Sequence, residues 1–132
     1  MLLTLEKFIK EEHFSDAKWH KRGLSPPGAG SSEYLQYIVE NCTADLIKIA
    51  PKEGSERKMK QILRHWLMCL KASDYEREEQ DYICEVFTKL ADMVRINPDR
   101  LLDSWRYGAI ISYVIGISRL FFRSQKELRT EQ

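Results

Sequence analysis

Apolar residues recur at three- and four-residue steps along most of the chain, a period that predicts amphipathic α-helices rather than strands. Helix starts are indicated by Ser15, Ser32 and Asn97, because short polar side chains are the preferred N-caps. Pro98 supports the last of these starts, since proline suits the first helical position. Besides a short helical turn after Ser15, the pattern predicts helices over 5–13, 33–50, 56–71, 74–96 and from 97 to a stop or bend at Gly108.

The segment from Ala109 to Phe122 is a nearly continuous run of apolar and aromatic residues. Its β-branched residues would suit a strand, but no second strand is visible to pair with it, and a lone strand leaves its backbone groups unsatisfied. Arg106 and Arg119 bracket a run shorter than the ~20 apolar residues that a membrane span needs. We therefore expect a helix over 109–126 that is mostly buried in the core of the monomer, with a dimer interface as the alternative.

Consecutive prolines and three glycines exclude a helix between Arg22 and Ser32. The fold predicted for the whole chain is all-α. It is a single-domain bundle of five to six helices over 1–132, with a long Pro/Gly loop at 22–32 after the first helix and a frayed C-terminal tail at 127–132.

Composition gives little indication of a partner. The formal net charge is +1, whereas nucleic-acid binders usually carry a strong basic excess. The start of the chain, where Glu6 interrupts the apolar residues, lacks the pattern of a secretory signal. Cys42, Cys69 and Cys84 are odd in number, form no CxxC pair and each fall in an apolar helical pattern. We therefore expect free thiols that pack as small apolar residues, and a cytoplasmic protein.

Charge is distributed unevenly between two successive predicted helices. The helix over 56–71 is basic, whereas the start of the next is acidic and places Glu78, Asp81 and Glu85 on one face. Acidic residues stabilise a helix start, and the two helices can pair their charged surfaces, which is the simpler explanation. The alternative is that the acidic residues of this face bind a basic partner protein: Glu78, Asp81 and Glu85.

Two motifs follow the acidic helix start: Tyr82-Ile83-Cys84-x-x-Phe87 and Trp105-x-Tyr107-Gly108. In this order, over about residues 5–108, the chain resembles a family of small bacterial domains of unknown function. The resemblance implies a soluble helical domain from a bacterium, and it implies no activity.

The sequence contains no recognisable catalytic or cofactor motif: no phosphate-binding glycine loop, no GxSxG and no HExxH. His13, His20 and His65 lack a metal-binding spacing and are expected at or near the surface. A solvated acidic face explains Glu78, Asp81 and Glu85 better than a cation site does. We therefore predict no catalytic residue, no metal and no cofactor. Trp19, which lies among cationic residues beside the Pro-rich loop, is either a lid over the core or a recognition anchor.

The leading hypothesis is a non-enzymatic, soluble bacterial domain that binds another protein, and neither nucleic acid nor membrane. One concrete form is an immunity or inhibitor protein that acts through the acidic residues Glu78, Asp81 and Glu85. The alternative is a ligand-binding or enzymatic bundle with a pocket near Trp19, His20 and Tyr107. A third hypothesis is a self-associating protein, with the last predicted helix as a homodimer interface.

Overall fold

The computed structural model describes residues 1–50 and 55–108. Within these residues it contains no strand, and the predicted all-α fold is confirmed. The helices are α1 (Leu2–Ile9), α2 (Asp16–Lys21), α3 (Ser31–Ile49), α4 (Glu56–Leu67), α5 (Arg77–Met93) and α6 (Asp99–Tyr107), with a 3₁₀ turn at Ala72–Asp74 before α5. The predicted helix over 109–126 and the predicted tail at 127–132 lie outside the described residues.

The chain divides at Pro98 and Asp99 into two compact units. In the first unit, α3 packs against α1 and α4, and α5 also contacts both of these helices. These four helices therefore surround a common core, whose largest fully buried side chains include Trp19, Leu35, Leu46, Leu63, Phe87 and Leu90. In the second unit the described residues form α6, on which Leu102 and Trp105 are buried.

Residues 22–30 connect α2 to α3 and contain no helix. Gly30 ends this loop as the N-cap of α3 with a φ of +81°, in the left-handed region that favours glycine. The prediction of Ser32 as the N-cap is wrong. Because the backbone of Gly30 makes the turn, α3 begins at Ser31, and the Ser32 hydroxyl instead accepts a hydrogen bond from the Trp19 indole N–H at 3.0 Å.

The connection from α1 to α2 is held by side chains from two other helices. Gln36 on α3 accepts from the His13 backbone N–H at 2.8 Å and donates to the Glu11 carbonyl at 2.9 Å. The Tyr82 hydroxyl on α5 donates to the His13 carbonyl. These contacts fix the residues after Ile9 in a non-helical path, so the predicted helix over 5–13 ends too late. Its predicted start is also wrong, because α1 begins at Leu2.

His13 is buried, and the expectation of a surface histidine is wrong for this residue. Its Nε2–H donates to the Phe8 carbonyl at 2.8 Å, and its ring packs on the Phe8 ring with centroids 3.9 Å apart. Burial lowers the pKa of His13, and the nearby charge of Lys18 lowers it further. The imidazole is therefore a neutral, hydrogen-bonded part of the core.

The three cysteines are free thiols in three different environments. Cys42 on α3 is fully buried, and this burial raises the pKa of its thiol. Cys84 on α5 is half-buried. Cys69 is exposed because it lies beyond Leu67, where α4 ends, so the expectation that it packs as an apolar side chain is wrong.

Candidate protein-binding surface

The predicted acidic patch lies on the exposed side of α5 near its start, and we call it the α5 patch: Glu78, Asp81 and Glu85. Part of the acidic run serves the helix itself, since the Glu79 carboxylate accepts a hydrogen bond from the Glu76 backbone N–H at 2.8 Å. Glu85 forms ion pairs with Arg22 and, at 3.8 Å, with Lys89. The negative charge of the patch is therefore partly balanced within the chain.

Arg22 also covers an aromatic ring. Its guanidinium carbon lies 4.8 Å from the centroid of the Tyr82 ring, on the same helix as Glu85. The Tyr82 ring and the Glu85 carboxylate lie three residues apart on one side of α5, and both contact the Arg22 guanidinium. We call this group of three residues the arginine clamp: Arg22, Tyr82 and Glu85. Within it Arg22 covers the Tyr82 ring, and Tyr82 is only 6% exposed.

The residues predicted to form a pocket or loop anchor lie in different environments. Trp19 on α2 has no exposed surface and packs against Phe14 and edge-on against Tyr82. Its ring therefore offers nothing to a partner in the folded chain. His20 is exposed on α2. Tyr107 belongs to the second unit, where it is 40% exposed at the end of α6 under the Arg106 guanidinium.

A surface that the sequence analysis missed lies where α3 and α4 adjoin, and we call it the aromatic face: Tyr34, Tyr37 and Trp66. Met68 directly precedes Cys69, whose carbonyl Tyr34 contacts, and it borders this face. Tyr34 and Tyr37 stack with ring centroids 6.4 Å apart, and Tyr37 meets Trp66 edge-on at 6.5 Å. Tyr37 is 54% exposed, Tyr34 45% and Met68 41%. Large apolar side chains are thus concentrated on one face of the first unit.

The side chains of the aromatic face are held in place. The Tyr34 hydroxyl donates to the Cys69 carbonyl at 3.3 Å, and the Trp66 indole N–H donates to Asp45 on α3 at 2.8 Å. Trp66 continues the apolar period of α4, which alone would favour a position in the core. It is half-buried instead, because the bond to Asp45 keeps its polar edge at the boundary between α3 and α4.

An acidic cavity of about 330 Å³ adjoins the aromatic face, and Tyr37 belongs to both. The apolar part of its wall is Phe14 and Tyr37, and its polar part includes Gln36 and two serines. Four carboxylates, from three separate segments of the chain, complete the lining: Glu12, Asp16, Glu33 and Glu40. The lining contains no lysine or arginine, so the cavity presents a concentrated negative potential.

The other end of the aromatic face is basic. A cavity of about 430 Å³ at the end of α4 is lined by Arg64, His65, Met68 and Cys69 together with Gln61. Further exposed cations follow the same helix at Arg57, Lys58 and Lys60. The aromatic face therefore lies between a negative cavity on α3 and a positive surface on α4.

A short sequence repeat could have indicated this site. Tyr37-Ile38-Val39-Glu40 on α3 has the same pattern as Tyr82-Ile83-Cys84-Glu85 on α5. Ile38 and Ile83 are both buried, so each tetrapeptide turns its isoleucine to the core. The two tyrosines differ, since Tyr82 is covered by Arg22 whereas Tyr37 is exposed.

Within the described residues, no group of three or more histidine, cysteine, aspartate or glutamate side chains is placed to hold a metal ion. None of the helices described for 1–50 and 55–108 has the length and apolar character needed to cross a membrane.

The fold and this surface define an all-α domain with an exposed aromatic face beside an acidic cavity. The chain belongs to the family described as domain of unknown function DUF4844, whose model matches residues 3–110. The predicted membership of a family of domains of unknown function is thereby confirmed.

A solved structure supports the fold. The crystal structure of a DUF3571 family protein from Acinetobacter baumannii AYE is similar with a TM-score of 0.67 and 19% sequence identity, over 86% of this chain and 94% of that one. At this identity the similarity establishes the all-α fold alone. No curated protein matches the chain.

Proposed function

We propose that this chain is a non-enzymatic protein-interaction domain that binds its partner through the aromatic face. The observation that carries the proposal is the exposure of Tyr34 and Tyr37 side by side on α3, with Trp66 of α4 edge-on to Tyr37. Scattered exposed apolar residues are normal on a protein surface, whereas a contiguous apolar patch with a polar rim is typical of an interaction site.

The residue types on this face fit that role. Tyrosine and tryptophan are enriched among the interface residues whose truncation costs the most binding energy. The rings are already ordered by the Tyr34–Cys69 and Trp66–Asp45 hydrogen bonds. A partner therefore loses little affinity to the ordering of these side chains.

The biological form that we propose is a bacterial inhibitor or immunity protein, which neutralises another protein by covering part of its surface. The bacterial source of the similar crystal structure supports a bacterial setting. The three free thiols support a reducing compartment such as the cytoplasm. Neither role requires a catalytic group or a cofactor.

The α5 patch is a second candidate surface for the same function, because Glu78 and Asp81 are exposed. It is the weaker candidate. Arg22 and Lys89 already balance the charge of Glu85, and the patch contains no aromatic or other large apolar side chain. The enzymatic or ligand-binding alternative depended partly on Trp19, which is buried in the core.

The test begins with affinity capture from cells of the source organism, with wild-type chain and Tyr34→Ala/Met68→Ala as baits. Proteins that only the wild type retains are identified by mass spectrometry, and the purified partner is then titrated by calorimetry. We expect the double variant to bind at least about tenfold more weakly, because truncated anchor residues typically cost more than 1 kcal/mol each.

Two further variants make this experiment decisive. Leu3 on α1 is 81% exposed and lies outside the aromatic face, so Leu3→Ala is expected to bind as the wild type does. Glu78→Lys changes the α5 patch without touching the Arg22–Glu85 pair. Undiminished binding by Tyr34→Ala/Met68→Ala, with binding lost in Glu78→Lys, would show that the partner uses α5 instead.

A further inference from the structure

We propose that the acidic cavity beside Tyr37 receives an arginine side chain of the partner, so that the partner contributes an exposed arginine next to the apolar residues that cover the aromatic face. This inference rests on the proposed function and specifies the chemistry of its partner. It is carried by the repeated tetrapeptide and by the arginine clamp that one copy of it forms inside the chain.

The arginine clamp shows what a Tyr-x-x-Glu pair on a helix of this protein binds. On α5, Arg22 pairs with Glu85 and lies 4.8 Å from the Tyr82 ring centroid. On α3, Tyr37 and Glu40 have the same spacing and the same buried isoleucine between them. Among the described residues, however, no cation covers the Tyr37 ring.

The charge around Tyr37 favours a cation strongly. The cavity is lined by four carboxylates: Glu12, Asp16, Glu33 and Glu40. Glu40 accepts a hydrogen bond from the Gln36 amide at 2.9 Å, and the ion pairs among the described residues include none of the four. Neighbouring carboxylates repel one another, so a cation that enters the cavity relieves this repulsion as well as forming its own ion pairs. Glu85 of the α5 patch, by contrast, already forms an ion pair with Arg22, so the acidic cavity attracts a further cation more strongly than the α5 patch does.

The shape of the cavity favours arginine over lysine. Its apolar wall, formed by Phe14 and Tyr37, suits a methylene stem and a flat guanidinium, and about 330 Å³ is ample for one side chain. Guanidinium stacks on an aromatic face and donates to carboxylates in the same plane, whereas an ammonium acts as a compact point charge. The aromatic face then continues from Tyr37 towards Trp66 for the neighbouring residues of the partner.

The experiment uses the full chain, labelled with ¹⁵N, and three small probes: N-acetyl-arginine amide, N-acetyl-lysine amide and N-acetyl-citrulline amide. Citrulline matches arginine in shape but carries no charge. We expect saturable shifts of backbone resonances around Tyr37 with the arginine probe, weaker shifts with lysine and none with citrulline. Shifts that appear equally with citrulline, that fail to saturate, or that map to α5 would overturn the proposal, and equal binding of lysine would overturn the assignment to arginine.

Two matched variants test the residues that the proposal names. Glu40→Gln and Tyr37→Leu are each expected to weaken arginine binding a few-fold, in line with the modest strength of exposed ion pairs and cation–π contacts. Glu78→Gln, which removes one charge from the α5 patch, is the control and is expected to leave arginine binding unchanged. An equal loss in Glu78→Gln would mean that the effect is general attraction to negative charge.

The failure of this inference can be told apart from the failure of the proposed function. Tyr34 and Met68 do not line the acidic cavity, so their double variant tests partner binding without altering the arginine site. If that variant loses the partner while the arginine probe does not bind, the interaction surface stands and the arginine assignment falls. If the probe binds as expected but the partner is retained by the double variant, the proposed function falls.

Discussion

Replacing Trp19 tests whether the core of the first unit is arranged as described. The side chain has no exposed surface, meets Tyr82 edge-on with ring centroids 4.8 Å apart, and donates its indole N–H to Ser32 at 3.0 Å. Trp19→Ala removes the whole ring and leaves a cavity between α2, α3 and α5. Substitutions of this kind cost about 3–5 kcal/mol, a large share of the ~5–15 kcal/mol by which a typical domain is stable.

A graded variant separates packing from hydrogen bonding. Trp19→Phe keeps an aromatic ring near Tyr82 but removes the indole donor, so we expect a loss of about 1–2 kcal/mol from the missing hydrogen bond and imperfect packing. The measurement is urea unfolding at 25 °C followed by far-ultraviolet circular dichroism. Leu3→Ala, at a residue that is 81% exposed, is the control and is expected to stay within about 0.5 kcal/mol of the wild type.

The order wild type, Trp19→Phe, Trp19→Ala in decreasing stability is the expected result. If the free energy of unfolding of Trp19→Ala lies within about 1 kcal/mol of the wild-type value, then Trp19 is not the core residue described here. In that case its role as a recognition anchor beside the Pro-rich loop would have to be considered again. Trp19→Phe keeps the test decisive even if the alanine variant does not fold.

Two further predictions concern the backbone and pH. Gly30→Ala should lower stability by about 1–2 kcal/mol because Gly30 has a φ of +81°, whereas Gly28→Ala, in open space and without a positive φ, should change it little in the same urea assay. Burial lowers the pKa of His13 below its usual value of about 6.5, so the unfolded chain binds the proton more readily and stability should fall as the pH drops below that value. His13→Gln should flatten the pH dependence of stability between about pH 7.5 and 5.5. If that variant keeps the wild-type pH dependence, His13 is not its source. His20→Gln, at an exposed histidine, serves as the control.

The helices could be predicted because each depends on residues close together in sequence. The apolar period indicated α3, α4 and α5, and Ser15 was recognised as the start of α2. The starts of α1 and α3 were misplaced where backbone geometry replaced a side-chain cap. At Gly30 a positive φ makes the turn, and no residue pattern distinguishes this glycine from others in the same loop.

The environment of individual side chains could not be predicted, because it depends on partners far away in the chain. Glu85 was assigned to an acidic patch, but its cation comes from Arg22, 63 residues earlier. His13 was expected near the surface, yet Gln36 and Tyr82 enclose its backbone. Tyr37 could not be distinguished in the sequence from the other aromatic residues, because its position beside Trp66 and the acidic cavity arises only in the folded chain.

The long-range hydrogen bonds that hold the α1–α2 connection affect the order in which the chain folds. Its hydrogen bonds to Gln36 and Tyr82 join residues 23 and 69 positions apart, so these bonds add to the local contacts between Phe8 and His13 only after distant helices have come together. Closing such long loops is slow and unfavourable until the helices that carry the partners have docked. We expect α1 to join a preformed unit of α3, α4 and α5 late in folding. Pulse-labelled hydrogen exchange at the His13 amide would refute this if that amide were protected before those of α5.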